Sequence, residues 1–134
     1  NPKSYFVADF FGSPSMNLIN GEIVKENNKL AFKNDQLKIR IPDHFSNQIS
    51  GKVTLGIRPE HVKIKSDGGE IQDVIDLVEP MGKDTLLYFK AGAERPFIVI
   101  IEGLVTNDFK SGQNVGLDFP DDKVCLFNEH GQRL

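Results

Sequence analysis

Leu55-Gly56-Ile57-Arg58-Pro59-Glu60-His61-Val62 sits near the middle of the chain and is its least generic run. Val53, Leu55 and Ile57 alternate with Thr54 and Gly56, which predicts a strand with one apolar face. Arg58 puts a permanent cation at the strand end. Pro59 holds φ near about −65° and has no N–H to offer a sheet, so the strand stops there or lies on an edge. Glu60 follows in a tight turn, within reach of Arg58. Catalysis needs a nucleophile, a base or a set of metal ligands, and one charge pair with one imidazole is none of these. The pair reads as an ion pair that pins a strand-to-turn corner.

Outward from this corner, short apolar runs alternate with turn residues. Residues 16–19 read as a strand, and Asn20-Gly21 as a type I′ hairpin turn before a return over 22–25. Asn27-Asn28 makes another turn, and Leu30 and Phe32 mark a third strand. Leu37, Ile39 and Ile41 alternate with Lys38 and Arg40, a half-buried strand closed by Pro42. Residues 43–51 form a polar loop with one helical turn around Phe45. Val62 and Ile64 continue the strand of the opening stretch until Asp67-Gly68-Gly69 breaks it. Residues 71–79 read as one longer strand, 80–84 as a turn, 85–90 as a strand and 91–95 as a hairpin loop.

Phe97, Ile98, Val99, Ile100 and Ile101 are five consecutive large apolar residues. Such a run is buried on both faces or closes against a partner, since left exposed it would aggregate. Val115, Leu117 and Phe119 alternate in the next strand, residues 124–127 form the last, and Asn128-Glu129-His130-Gly131 is a closing turn. Strands this short, with turns every 8–12 positions or so, indicate an all-β barrel or sandwich. At the other end, Asn1-Pro2 caps a short helix whose apolar face is Tyr5, Phe6, Val7, Phe10 and Phe11, ended by Gly12 and Pro14. That helix is too short to stand alone and must dock on something.

A length of 134 residues suits one domain or two very small ones. The net charge of −3 argues against a general nucleic-acid surface. Cys125 is the single cysteine, so no internal disulfide forms and a reducing compartment is expected. No apolar run of about 18 residues exists to cross a membrane as a helix. The chain opens at Asn1 without Met, and the expectation is a piece of a longer protein. There is no Gly-x-x-x-x-Gly-Lys-Ser/Thr run to wrap phosphates and no Gly-x-Ser-x-Gly elbow. His44, His61 and His130 are too scattered for a metal site, and Cys125 reads as an inert thiol in an apolar strand. No catalytic, cofactor-binding or metal-ligating residue is expected here.

Gly56-Ile57-Arg58-Pro59-Glu60-His61 resembles the G-I-R-P-E-H signature of the regulatory domain in ATPase subunits of maltose- and multiple-sugar-type ABC importers, the transport-associated OB-type or TOBE domain. Residues 6–17 are similar to the family's join between nucleotide-binding and regulatory domains. Glu79-Pro80-Met81-Gly82-Lys83-Asp84-Thr85 is similar to its E-x-L-G-x-D/E-T hairpin, and residues 126–134 to its ending. Asn128 stands where Asp is usual and Cys125 where His is common, so no family role is carried to those two positions. The resemblance implies an all-β fold of small OB-type (TOBE/MOP-like) barrels built from both halves of the chain. Residues 1–15 would be a helix and linker from a missing nucleotide-binding domain, and 16–134 the TOBE/OB-type regulatory domain.

The same resemblance implies a non-catalytic role. The parent would bind ATP and Mg and hydrolyse ATP, and this part would hold two ATPase subunits together. Further partners would be the transporter's membrane subunits and a cytoplasmic regulator protein, with no nucleic acid, at the inner face of the cell membrane. Gly56, Arg58, Pro59, Glu60, His61, Gly82 and Asp84 would be structural motif residues. Phe97, Ile98, Val99, Ile100 and Ile101 would be core or dimer seam. Two rival functions remain: a module that binds an oxyanion or sugar effector, and an oligonucleotide-binding OB domain.

Overall fold

The alternation of large and polar side chains is realised as eleven strands among the described residues, all paired antiparallel. A computed structural model describes residues 16–91, 93, 95–105 and 107–134. The helix expected over 1–15 lies outside them. The first sheet has the order β11-β4-β1-β2-β3. Its members are β1 (Asn17–Glu26), β2 (Lys29–Lys33), β3 (Lys38–Arg40), β4 (Gly51–Ile57) and β11 (Cys125–Asn128). Four strands from the start of the chain are thus completed by its last one. The second sheet, β5-β10-β6, joins β5 (Lys63–Lys65), β10 (Asn114–Asp118) and β6 (Ile71–Val74). The third, β7-β8-β9, joins β7 (Leu77–Met81), β8 (Asp84–Phe89) and β9 (Phe97–Glu102).

The inward rows of all three sheets meet in one core. Ile19, Phe32, Leu55 and Leu126 come from the first sheet, Val115 and Leu117 from the second, and Leu87, Phe89, Phe97 and Val99 from the third. Each is at most 1% exposed, so a single hydrophobic cluster ties the sheets together. Phe97 and Phe119 stack with ring centroids 5.7 Å apart.

Four sequence expectations need correction. Asn20-Gly21 is not a turn: β1 runs straight through it as a ten-residue strand. Asn20 instead accepts a hydrogen bond from Thr54 Oγ1 at 2.8 Å. A Cβ at Gly21 would come within 2.5 Å of the buried Phe32 ring, so glycine serves close packing there rather than chain reversal. The reversal falls to Asn27-Asn28, with φ of 51° and 64°, the left-handed pair that a two-residue hairpin needs. Residues 71–79 are two strands in different sheets, parted at Ile75-Asp76. Ile75 N donates to Gln113 O at 2.9 Å and Asp76 N to Tyr88 O at 2.8 Å, so neighbouring residues bond to different sheets. Finally, Val62 and Ile64 do not prolong β4; β5 belongs to another sheet. The loop over 43–51 holds two tight turns, closed by Phe45 N to Pro42 O and Ile49 N to Ser46 O, rather than a helical one.

The second sheet has an unusual crossing. β5 and β6 both pair with β10, so the five residues between them pass over that strand. Gly68 and Gly69 adopt φ of 80° and 92° to make the arch, and Gly116 lies directly beneath it. Gln72 Nε2 donates to Gly68 O from the neighbouring strand.

Candidate functional site

The opening motif forms the corner between the first two sheets. β4 ends at Ile57, and Arg58 stays extended with φ −71° and ψ 145°. Pro59 starts a three-residue 3₁₀ turn, Pro59–His61, where its fixed φ suits the first position. His61 N donates to Arg58 O at 3.0 Å, and Val62 returns to extended backbone and leads into β5. Pro59 is buried, while Arg58 and Glu60 are exposed. No salt bridge between Arg58 and Glu60 is among those of the described residues. Backbone geometry and the burial of Pro59 hold the corner. A Cβ at Gly56 would meet Met16 Sδ at 2.6 Å and the Phe127 ring at 3.1 Å, so the motif glycine lets β1 and β11 close on β4.

The second motif forms the β7–β8 hairpin. Met81 faces Asp84, leaving Gly82-Lys83 as a two-residue turn, with Gly82 at φ 61°. Pro80 and Met81 are strand rather than turn residues. The tip is laced to the exit of β9: Gly103 N donates to Lys83 O at 2.9 Å, Thr85 Oγ1 to Gly103 O at 2.9 Å, and Val105 N to Thr85 Oγ1 at 3.0 Å.

β9 is where the two motifs converge. The 3₁₀ turn packs against it, and the hairpin pairs with it through Asp84 opposite Glu102. Phe97 and Val99 point into the core, while Ile98, Ile100 and Ile101 are half-buried. On the far edge of β9, Asn17 Nδ2 donates to Ile98 O at 2.7 Å, and Ile98 N donates to Asn17 Oδ1 at 2.8 Å. One amide side chain thus completes a strand edge, a role that no motif in the sequence announces.

Ionisable groups are arranged for structure. Arg40 Nη2 donates to both carboxylate oxygens of Asp121 at 3.0 and 3.2 Å, joining β3 to the 3₁₀ turn Asp121–Lys123. Lys65 sits 2.9 Å from Asp118, whose Oδ1 also accepts the Glu70 N–H at 2.6 Å. Those two bonds hold the Asp118 carboxyl below its ordinary range. Tyr88 donates to Glu79 Oε1 at 2.7 Å, which raises the phenol pKa. Among the described residues, no group of three His, Cys, Asp or Glu is placed to hold a metal ion. His44 stacks on Phe45 at 4.3 Å, and His130 lies beside Glu129 at 3.8 Å, each in its own surroundings. An open groove of about 420 Å³ runs past His44, Phe45, Ile49, Asp122, Cys125 and Arg133.

Comparison with known proteins places this architecture. The MalK OB fold domain profile matches residues 12–62, and the TOBE domain profile matches 55–127, the two overlapping on the Arg58-Pro59-Glu60 corner. The chain is 30% identical over 135 residues to the sn-glycerol-3-phosphate import ATP-binding protein UgpC of Escherichia coli O157:H7, covering 99% of this chain and 37% of that protein. It is 31% identical over 127 residues to UgpC 2 of Agrobacterium fabrum, covering 95% of this chain and 33% of that protein. The chain therefore spans little more than a third of the length of these relatives. Among solved structures it resembles the cytoplasmic molybdate-binding protein ModG, with a TM-score of 0.60 at 11% identity, covering 82% of this chain and 94% of that one. At that identity the likeness is one of fold. With its corner, hairpin and closing strand in the order expected, the chain belongs to the TOBE domain family, preceded by a MalK-type OB fold domain.

Proposed function

We propose that this chain is the non-catalytic regulatory and dimerisation part of the ATP-binding subunit of an ABC importer for sugars or related carbohydrates. The observation that carries the reading is whole-chain similarity to import ATP-binding proteins at about a third of their length. In this reading the catalytic domain, with its ATP and Mg, lies in the rest of the parent. Partners are a second copy, the membrane subunits and a cytoplasmic regulator, at the inner face of the membrane. The mechanism is positional. A rigid β module that stays paired keeps two catalytic domains at high effective concentration while they open and close on ATP. Phe97, Val99 and the corner at Pro59 keep that module stiff, and Gly82 and Asp84 set the hairpin beside it.

The test compares the full parent with a version lacking the region equivalent to this chain. Deletion leaves ATP binding intact and makes ATPase activity depend more steeply on protein concentration, with association of the two copies weakened ten- to hundredfold. Unchanged concentration dependence refutes the clamp. A second reading, an oxyanion-binding module, draws on the fold shared with ModG. Titration calorimetry of this chain with molybdate, sulfate and glycerol 3-phosphate separates the two, since saturable heat favours the second.

A further inference from the structure

We propose that residues 1–15 of this chain, through Phe6, Phe10 and Phe11, dock on the outward face of the first sheet and into the groove beside it. The register identifies that face. In β11, Leu126 stands opposite Leu55, and both belong to the core cluster that gathers all three sheets. Cys125, opposite Gly56, and Phe127, opposite Thr54, therefore point to the other side. Yet Phe127 is only 1% exposed, and Thr54 and Cys125 are each 7% exposed. None of the three belongs to the core cluster. An outward row so well covered has a second apolar layer over it. Met16 begins that layer: a Cβ on Gly56 would lie 2.6 Å from Met16 Sδ and 3.1 Å from the Phe127 ring.

The position of Met16 selects the occupant. The chain ahead of it carries Tyr5, Phe6, Val7, Phe10 and Phe11. The step from Phe11 to Met16 reaches at most about 17 Å, and the row from Cys125 to Phe127 is only about 7 Å long. The aromatic run is thus tethered within reach of this face, at a local concentration no free partner matches. Cys125 also lines the neighbouring groove, beside Phe45, Ile49 and Val124, so the two surfaces are continuous. A dry cavity of about 150 Å³ takes a benzene ring, and the open groove of about 420 Å³ has room for two. Asp122 and Arg133 line the same groove, and the segment brings one charge of each sign, Lys3 and Asp9. The functional consequence rests on the reading above, in which this segment leads from the catalytic domain. A docked connection passes that domain's movement to the first sheet, where a loose tether would absorb it.

Cys125 is the single cysteine and reports on the cover directly. Alkylation of the whole chain by iodoacetamide, followed by mass spectrometry, is slow. Phe10→Asp together with Phe11→Asp speeds it about tenfold or more, while thermal melts stay within a few degrees of the parent. A rate that the double substitution leaves unchanged overturns the proposal. Phe6→Cys, Phe10→Cys and Phe11→Cys, oxidised one variant at a time, supply a second reading that needs no loss of packing. At least one of them forms a disulfide with Cys125 inside a single chain. Links found only between two chains give the face to a second copy and overturn the proposal, as does the absence of any link. These results concern this chain alone. Their failure leaves the clamp reading standing, and failure of the clamp in the deletion experiment leaves the docked segment standing.

Discussion

Gly116→Ala is the sharpest probe of the fold, because the arch over β10 leaves no room for one more carbon. A Cβ built at Gly116 comes within 2.8 Å of the Gly68 carbonyl carbon and 3.2 Å of Gly69 Cα, and nearer still to the Gly68 oxygen. These are backbone atoms of a tight arch, so no flexible side chain swings aside. β10 has no freedom to sink either, since Val115 and Leu117 on both sides are fully buried. Overpacking a core ordinarily costs about 1–3 kcal/mol. A backbone-to-backbone conflict that must lift the arch or displace a central strand lies beyond that, at about 3–5 kcal/mol. At this chain length each kcal/mol lowers the melting temperature by about 3–5 °C, so the variant melts roughly 10–20 °C lower. Gly112→Ala is the control: its φ is 89° but nothing lies within 4 Å of the added carbon, so only about 1–2 kcal/mol of backbone strain is expected. Thermal melts by circular dichroism, checked by urea midpoints, read both variants. A Gly116→Ala protein as stable as the control, or within about 0.5 kcal/mol of the parent, refutes the crossing.

Three further outcomes follow from single contacts. Asn17→Ala removes two hydrogen bonds from the edge of β9 and costs about 1–3 kcal/mol, with faster amide exchange at Ile98 as the local signature. Gly21→Ala drives a methyl into the Phe32 ring and destabilises by about 2–3 kcal/mol, whereas a turn glycine there would lose far less on a change to Asn; a tolerant Gly21 contradicts the continuous β1. Asp118 has a folded pKa below its unfolded value of about 3.9, so its stabilisation is complete above that value and is lost as pH falls through the folded pKa. Asp118→Asn therefore flattens the acid limb of the stability curve below about pH 4, measured by urea unfolding across pH. Glu70 works in the opposite sense. Partial desolvation raises its pKa against the pull of Arg40, and protonating it relieves rather than weakens the fold.

Period-two patterning was enough to find nearly every strand, because each sheet has one buried face and a slip of one residue would turn it outward. The Arg58-Pro59-Glu60 corner was legible for a local reason, since Pro59 can neither continue a ladder nor bend elsewhere. What escaped were features decided across the chain. Asn20-Gly21 has the local signature of a turn, but the Phe32 ring claims the space above Gly21. The partition of 71–79 depends on which sheet each half reaches, and both halves have similar composition. Asn17 has nothing in its own neighbourhood to mark it as the partner of a strand 81 residues away. Gly116 offered a faint signal, as an isolated glycine within an alternating strand points to close backbone approach. The Arg58–Glu60 salt bridge expected from the sequence is not among those of the described residues, whereas the buried Pro59 ring is in place.

The completion of the first sheet by β11 has a consequence for biosynthesis. Leu126 and Phe127 are among the most deeply enclosed side chains, yet they leave the ribosome well after β4, the strand they pair with. Until they emerge, β4 presents an open edge and the interior lacks part of its filling. A product cut short before β11 therefore keeps that edge open, and quality-control proteases can recognise it.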